Sequence, residues 1–332
     1  MAQLLKVHGS DNAFFLLDQT RLAQPLDAAT LIALTKRLTD RQTGLLGGAD
    51  GMLVVSQAPD AAGRMTVINS DGTYAKMCGN GLRTVSRYLS EQTGQDEFTV
   101  QTEEAKLRVH RAAPLAQGVP AFGVEISPVS FEQKALPFAQ LGHTQIIDTV
   151  LEALHPSLHF TAIAVPNPHL IAFVPEAELN GSTLGDLGKR LNAPNPYFPE
   201  GVNVTFATIT GQSEIFARTY ERGVGFTNAC GTGMSATSLA LVLTHPDVAE
   251  KNQPITVYNP GGMVHTVVHQ EADGRYWIEL IGNATVTDVV TIPDASLVQG
   301  TFDGATTRAT GETADYTAFV ASLPYRGLVA TV

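Results

Sequence analysis

Two short stretches with the same pattern of residues carry the strongest chemical signal in the chain. The first begins at Cys78 and reads Cys-Gly-Asn-Gly-Leu-Arg, and the second begins at Cys230 and reads Cys-Gly-Thr-Gly-Met-Ser. They contain the only two cysteines among 332 residues. Each cysteine therefore opens a Cys-Gly-x-Gly turn, and a segment with helical signals follows each turn.

A cysteine at the start of a helix is well placed for acid–base chemistry. After the first turn, Leu82, Val85 and Leu89 fall at an amphipathic helical spacing. After the second turn, residues 235–243 are apolar nearly all round, as expected of a buried helix. The first N–H groups of a helix lack internal partners, and the helix dipole makes that end positive. We therefore expect a lowered pKa for each thiol, beside bare N–H groups that can bind a carboxylate.

Two such turns around one carbon atom would suit the inversion of an α-carbon. Inversion requires a base on one face of the carbon and an acid on the other, both with a pKa near the working pH. The alternative is a pair of buried structural cysteines, which are common in proteins. Because both cysteines lie in matching glycine-rich turns, we favour the catalytic interpretation.

Seven further segments follow one another in a specific order. Each is weak evidence alone, because short glycine- and asparagine-containing turns occur in many folds. Together with the two cysteine turns they form a distinctive series. They are residues 6–14, 40–41, 47–51, 69–72, 167–169, 202–204 and 220–223.

This series of motifs resembles the diaminopimelate epimerase family, cofactor-independent amino-acid epimerases, as far as about Pro293. The resemblance implies that Cys230 removes the proton of an L centre and that Cys78 returns one on the opposite face. It implies that His169 and Glu221 polarise these thiols. The implied reaction converts LL-2,6-diaminopimelate to meso-diaminopimelate, in lysine and peptidoglycan precursor synthesis, without cofactor or metal.

The resemblance also implies a set of substrate-binding residues. Backbone N–H groups of the cysteine turns would hold the reacting carboxylate and spread the charge that develops on deprotonation. Amides and an arginine would hold the distant amino-carboxylate, because amides donate and accept while arginine pairs with a carboxylate. The implied residues are Asn12, Asn69, Gly79, Asn80, Asn167, Asn203, Glu221, Arg222, Gly231 and Thr232.

Two departures from the family pattern leave the substrate open. Phe226 stands where glutamate is usual, and Ile126-Ser127 replaces a usual Met-Gly. Relatives with the same two-thiol chemistry act on histidine- or proline-type substrates, so a racemase of another amino acid is the alternative. Against it, a substrate with one carboxylate would leave Arg222 buried and unpaired, which is costly.

Other classes of function fit the sequence less well. A silent amino-acid-binding protein would need no cysteines, and a thiol hydrolase needs one nucleophile with its own base. The glycines of residues 44–51 lack the Lys-Ser/Thr of a phosphate loop. His155 and His159 have helical spacing but no third ligand for a metal.

Composition favours a globular protein with a large core. Hydrophobic residues make up 44% and charged residues 16%, below the usual quarter. A net charge of −11 argues against a nucleic-acid partner. No apolar run is long enough for a membrane span. The start lacks signal-peptide features, and two unpaired cysteines fit the cytoplasm. We expect a small amino-acid substrate; oligomeric state does not follow, and a homodimer stays an option.

The order of elements predicts an α+β fold of two pseudo-symmetric modules. In each, a mixed β-sheet or barrel wraps around a central helix, and the active site lies in the cleft between them. The cysteines repeat at an offset of 152 residues (230 minus 78). We predict modules at residues 1–127 and 128–282, with 283–332 as a return segment to the first module and an extra tail.

Several local predictions complete the sequence-based model. Residues 4–18 form a strand, a turn and a strand, and residues 28–41 form a helix. Residues 111–121 form a Pro/Ala/Gly loop, and residues 145–154 an amphipathic insertion. In the tail, residues 300–315 are expected to be mobile, and residues 316–323 to form a short docked helix.

Overall fold

The chain folds into two units that each combine strands with helices, as the computed structural model of residues 1–325 and 328 shows. Unit 1 combines Met1–Val124 with Ile281–Ser322, and unit 2 contains Glu125–Leu280 and the described residues after Ser322. The predicted α+β class is confirmed.

The strands and helices alternate along the whole chain. The strands are β1 (Ala2–Gly9), β2 (Asn12–Asp18), β3 (Gly51–Ser56), β4 (Gly63–Asn69), β5 (Tyr74–Ala75), β6 (Glu97–Gln101), β7 (Lys106–Ala116), β8 (Val119–Ile126), β9 (Thr149–Val150), β10 (His159–Ala164), β11 (Pro168–Phe173), β12 (Asn203–Gly211), β13 (Glu214–Glu221), β14 (Gly225–Phe226), β15 (Pro254–Asn259), β16 (Gly262–Gln270), β17 (Tyr276–Asn283), β18 (Thr285–Ile292) and β19 (Thr306–Ala309). The α-helices are α1 (Ala28–Thr39), α2 (Gly79–Thr93), α3 (Glu176–Leu179), α4 (Thr183–Asn192), α5 (Gly231–Thr244), α6 (Asp294–Gln299) and α7 (Glu312–Ser322), with 3-10 turns at Gln19–Arg21 and Leu45–Gly47.

Unit 1 is a mixed sheet against which the helix of Cys78 packs. β1 lies between β2 and β18, and β2, β3 and β4 follow as neighbours. The β2–β3 and β4–β6 pairs are parallel, whereas β6–β7 and β7–β8 are antiparallel. β2 is apolar on both faces because Phe15 and Leu17 join a core cluster with α1, while Phe14 and Leu16 are buried on the opposite face.

Unit 2 repeats this strand order around the helix of Cys230. β10, β11, β12 and β13 are successive neighbours, and β11–β12 and β13–β15 are the parallel pairs. The two-residue strand β14 pairs with β13, as the two-residue strand β5 pairs with β4. The predicted repeat of elements is therefore present in the hydrogen-bonding pattern.

The central helix of unit 2 is buried on all sides. Every residue from Gly231 to Val242 is inaccessible to solvent or nearly so. The helix also contains hydroxyl side chains, whose burial would cost free energy without hydrogen bonds. Ser235, Thr237 and Ser238 each donate to the backbone carbonyl four residues earlier, at 2.7–3.0 Å. These hydrogen bonds within the helix allow the hydroxyl side chains to be buried in the core.

The amphipathic insertion expected at residues 145–154 contains β9, which pairs with the start of β10, and Asp148 there has φ of +47°. One local prediction is wrong. Residues 111–121 are not a loop but the ends of β7 and β8, joined at Gly118 with φ of +74°. Pro114 lies where the register between these strands shifts, and prolines are tolerated at such bulges.

The tail forms regular structure that the sequence did not predict in full. Residues 300–315, which are expected to be mobile, contain β19, which pairs with β18, and the start of α7 at Glu312. The short helix predicted at residues 316–323 forms the later part of α7. The predicted strand–turn–strand at residues 4–18 and helix at residues 28–41 are confirmed. In the described part of the chain, the helices are too short or too polar to cross a membrane.

Candidate active site

Cys78 caps the helix α2, as its sequence position predicts. Its backbone is extended, and its sulfur accepts a hydrogen bond from the N–H of Gly81 at 3.3 Å. A Cβ atom at Gly81 would lie 2.6 Å from Leu53 Cδ2, so a larger residue here would have to displace the end of that buried leucine side chain. The sulfur of Cys78 therefore lies over the positive end of the helix, where a thiolate is stabilised.

Two amide side chains are ordered beside this sulfur. Asn12 Oδ1 lies 3.8 Å from Cys78 Sγ and accepts a hydrogen bond from Asn80 Nδ2 at 3.2 Å. Asn12 Nδ2 donates to Asp50 Oδ2 at 2.8 Å, and Arg41 pairs with the other carboxylate oxygen of Asp50 at 2.5 Å. Because Asp50 holds the amide nitrogen, the Asn12 carbonyl oxygen is directed at the thiol.

The other predicted residues of this half-site lie in the adjoining turns. Gly79 is the first residue of α2 and is buried. Asn69 ends β4, where its side chain donates to Thr73 Oγ1 at 3.0 Å. The turn after it is tied to the same Asp50 through the N–H of Ser70, at 3.0 Å. The structure thus brings Asn12, Gly79 and Asn80 to Cys78. It places Asn69 in the turn that is bonded to Asp50, the residue that holds Asn12.

In unit 2, the predicted residues collect at one edge of the sheet. β11 and β12 are parallel, and His169 lies opposite Asn203. β13 runs back against β12, so its last residue, Glu221, and the following Arg222 reach the same edge. Asn167 precedes β11 at this edge. One sheet therefore brings together residues that are up to 55 positions apart in sequence (222 minus 167).

His169 is completely buried and neutral. Its Nε2 lies 3.2 Å from Asn167 Oδ1 and 3.1 Å from Thr232 Oγ1. Because the Asn167 oxygen only accepts, we assign the proton to Nε2. Nδ1 then carries a lone pair and has no partner among the described residues. Burial, with a smaller effect of Arg222, lowers the pKa of His169 to about 3.

Cys230 caps α5 but differs from Cys78 in its surroundings. It is 6% exposed, and its hydroxyl neighbour Thr232 lies 3.6 Å from the sulfur. Burial raises the pKa of this thiol well above its usual range, and the Glu221 carboxylate raises it further. Thr232 and the N–H of Gly233 act in the opposite direction but do not outweigh burial. The expected lowering of the thiol pKa is therefore wrong for Cys230.

Glu221 and Asn203 are held by specific hydrogen bonds. Thr227 donates to Glu221 Oε1 at 2.5 Å, which orients the carboxylate next to the Cys230 turn. Asn203 donates to the carbonyl of Pro168 at 3.1 Å and accepts from the N–H of Arg222 at 2.8 Å. Asn203 thus joins the start of β11 to the end of β13, a positioning role that the sequence did not reveal.

The surroundings of Arg222 differ from those that the sequence predicted. Its guanidinium donates to the carbonyl of Glu200 at 2.9 Å, and the residue is exposed. No carboxylate pairs with it among the described residues. The argument that a second substrate carboxylate is needed to compensate a buried arginine therefore fails, although the cation is available to an anion.

Phe226, the departure from the family pattern, packs against Tyr220, Arg218 and α4. Its ring lies 5.3 Å from that of Tyr220 and 4.1 Å from the Arg218 guanidinium carbon. A Cβ atom at Gly185 on α4 would lie 3.4 Å from the Phe226 ring. The aromatic substitution therefore contributes to the packing against α4.

Sequence reasoning missed two residues that hold predicted site residues. Asp50, which holds the Asn12 amide, lies inside the segment 47–51, and Thr227, which holds Glu221, follows the departure at Phe226. No group of three or more His, Cys, Asp or Glu side chains in the described part of the chain is arranged to hold a metal ion.

The fold is similar to that of solved structures. It is similar to the crystal structure of a Bacillus anthracis phenazine biosynthesis protein of the PhzF family, with a TM-score of 0.63 and 12% identity. The similarity covers 87% of this chain and 97% of that chain. At this identity it shows the shared fold alone.

The sequence decides the family. The family model described as diaminopimelate epimerase matches residues 4–113 and 161–287. The diaminopimelate epimerase of Ligilactobacillus salivarius is 52% identical over 323 residues, covering 97% of this chain and 99% of its own. That of Lactiplantibacillus plantarum is 53% identical over 326 residues, covering 97% and 98%. The chain belongs to the diaminopimelate epimerase family, as its motifs predicted.

Proposed function

We propose that this enzyme converts LL-2,6-diaminopimelate to meso-diaminopimelate by transferring protons between two thiols and one α-carbon. The observation that carries the proposal is the pair of cysteine-capped helices, each with ordered amide or hydroxyl partners, in a chain about half identical to curated diaminopimelate epimerases. The product would supply lysine and peptidoglycan precursor synthesis.

The two half-sites suggest different roles for the thiols. The Asn12 carbonyl oxygen beside Cys78 accepts a hydrogen bond from the protonated thiol, which suits a proton donor. Glu221 beside Cys230 can accept the thiol proton, which would leave a thiolate base. A substrate ammonium close to both would favour that thiolate, since an opposite charge lowers the pKa of an acid. The lone pair on His169 Nδ1 offers an acceptor in the same half-site.

The helix N-termini would bind the reacting carboxylate. N–H groups at Gly79 and Asn80, and at Gly231 and Thr232, lie in the first turns of α2 and α5. Such groups stabilise negative charge that develops when the α-proton leaves. Arg222, with Asn12, Asn69, Asn167 and Asn203 as the predicted amides, would hold the distant amino-carboxylate.

We also propose a cytoplasmic location and a free amino acid as the partner. Both cysteines are free thiols, and thiols stay reduced in the cytoplasm. The acidic net charge of −11 disfavours nucleic acid.

Substitution of either cysteine tests the two-base mechanism. We expect Cys78→Ala and Cys230→Ala each to abolish epimerisation, because a site with one thiol cannot invert a centre. With LL-diaminopimelate in heavy water, product formed early by the parent enzyme should carry solvent deuterium while remaining substrate carries little. Near-normal turnover by either variant would rule out this mechanism.

The substrate assignment has its own test. We expect Arg222→Met to lower kcat/KM for diaminopimelate by about ten- to a hundredfold, the range for one lost charged contact of roughly 1.4–3 kcal/mol. Arg275→Met, which removes an exposed arginine paired within its own turn, is the matched control. Faster turnover of L-histidine, L-lysine, L-glutamate or L-proline than of LL-diaminopimelate would show that the substrate is another amino acid.

A further inference from the structure

Arg83 is a buried cation on the helix that Cys78 begins. It lies five residues after Cys78 and is 0% exposed, the largest of the fully buried side chains among the described residues. Arginine is almost never fully buried unless a carboxylate or another anion compensates its charge. The position therefore calls for a negative partner.

The direct contacts of the guanidinium are all neutral. Nε donates to the carbonyl of Asn283 at 3.1 Å, and Nη2 donates to Ser10 Oγ at 3.2 Å. Nη1 has no hydrogen-bond partner among the described residues. No carboxylate of the described chain forms an ion pair with Arg83, so its charge stays uncompensated by acidic side chains.

The titratable groups around the guanidinium form no ion pair with it in the described part of the chain. His8 on β1 is neutral because burial and Arg83 lower its pKa to about 4. Tyr316 on α7 is neutral because burial raises its pKa. The Glu312 carboxylate is engaged by both terminal nitrogens of Arg87, at 2.6 and 2.7 Å. Asp11 lies in the nearby turn, where burial and Asp50 raise its pKa.

The guanidinium extends back along the first turn of the helix. A Cβ atom at Gly9 would lie 2.7 Å from Arg83 Nη2 and 3.0 Å from the carbonyl oxygen of Asn80. Arg83 Nη2 and the Asn80 carbonyl oxygen therefore both lie next to Gly9, beside the first turn of α2. Side chains on a helix lean towards its N-terminus. The cation thus lies alongside the turn that Cys78 caps. A side chain at position 9 would occupy the space that the guanidinium fills.

We propose that Arg83 is a positioning residue for the Cys78 half-site, where its buried charge stabilises the thiolate that remains when Cys78 gives up its proton. The inference rests on the acid–base role of Cys78 proposed above. A merely structural role would consist of the two hydrogen bonds that tie Ser10 and Asn283 to α2.

Electrostatic coupling supports the proposal. Burial lowers the pKa of Arg83 to about 10, and charge on Tyr316 and, less strongly, charge on Cys78 act against that lowering. Of these two groups, Tyr316 is the one that burial keeps neutral. Coupling between two sites is reciprocal, so a cation that is stabilised by the thiolate must also favour the thiolate. The Cys78 acid would then have a pKa closer to the working pH, as proton transfer requires.

The test measures alkylation of Cys78 by iodoacetamide as a function of pH. Peptide mass spectrometry separates Cys78 from Cys230, and only the thiolate reacts. We expect Arg83→Met and Arg83→Gln each to shift the pH midpoint upward and to slow alkylation at pH 7 about tenfold, which corresponds to one pKa unit. Arg83→Gln keeps hydrogen-bond donors, so it separates loss of charge from loss of structure.

Two further variants complete the design. Arg83→Lys keeps a cation and should retain most of the reactivity of the parent. Arg87→Met removes a positive charge that Glu312 and Glu91 already neutralise on the same helix, and it should leave the midpoint unchanged. An unshifted midpoint in folded Arg83→Gln would overturn the proposal. Epimerase assays of the parent protein decide the proposed function separately, because alkylation requires no turnover.

Discussion

At His169 and Cys230, burial favours the neutral form of both side chains. It lowers the pKa of the imidazole and raises the pKa of the thiol, since a charge of either sign loses hydration. Glu221 is the charged group that acts on Cys230 in this half-site. Proton transfer there therefore depends on how Thr227 holds that carboxylate, at 2.5 Å.

The buried His169 makes a specific contribution to the pH dependence of stability. Its pKa is about 3 in the folded protein, against about 6.5 for an unfolded histidine. Between these values the unfolded chain binds one more proton, so the free energy of unfolding decreases as pH falls, by about 1.4 kcal/mol per pH unit. We expect His169→Gln to reduce this slope by about that amount between pH 4 and 6.

Urea unfolding at several pH values measures the slope independently of any overall loss of stability. His8, with a pKa of about 4, contributes in the same direction and stays intact in this variant. His143→Gln changes an exposed histidine and provides the control. An unchanged slope in His169→Gln would show that the imidazole is not held in its neutral form.

At the scale of elements, two glycines allow α4 to pack against β13 and β14. A Cβ atom at Gly188 would lie 2.8 Å from Tyr220 Cβ and closer still to the Tyr220 ring. A Cβ atom at Gly185 would lie 3.4 Å from the Phe226 ring, an ordinary contact. Tyr220 directly precedes Glu221, so this helix packs against the end of β13 that carries the predicted catalytic carboxylate.

The two glycines predict opposite effects of alanine. We expect Gly188→Ala to destabilise the protein by about 1–3 kcal/mol, the usual cost of overpacking, and to lower kcat by displacing Tyr220 and Glu221. Gly185→Ala should be neutral or stabilising by up to about 1 kcal/mol, the gain in helix propensity. Chemical unfolding and steady-state kinetics measure both. Similar losses in the two variants would contradict the difference in packing.

Local patterns predicted the elements that carry the thiols. The spacing of Leu82, Val85 and Leu89 identified α2, and the apolar run after Cys230 identified a buried helix. Composition failed for residues 111–121, where proline, alanine and glycine suggested a loop but β7 and β8 continue to a turn at Gly118. A proline that is tolerated at a shift of strand register leaves the pairing of the two strands intact, and composition alone does not show this.

The environment of the site depended on contacts that no local pattern contains. The docking of α7 uses an ion pair between Glu312 and Arg87, which are 225 residues apart. The raised pKa of Cys230 results from burial in unit 2, whereas the sequence suggested only the helix dipole. Motif resemblance located the residues, but burial and partners decided their protonation.

At the scale of the whole molecule, the two units repeat one order of strands. β1 to β7 with α2 correspond to β10 to β16 with α5, and the parallel pairs fall at equivalent places. Each unit carries one cysteine-capped helix, so a single unit supplies only one proton-transferring thiol.

Unit 1 is assembled from two parts of the chain that leave the ribosome at very different times. β1 is made first, but its neighbour β18 follows only after the whole of Glu125–Leu280 has been made. Domains generally fold as units during synthesis, so unit 2 can complete its sheet while one side of β1 still lacks a partner. An unpaired strand edge invites association with other chains. Until β18 emerges, one edge of β1 is therefore open to such association, in a nascent chain that already contains both cysteines.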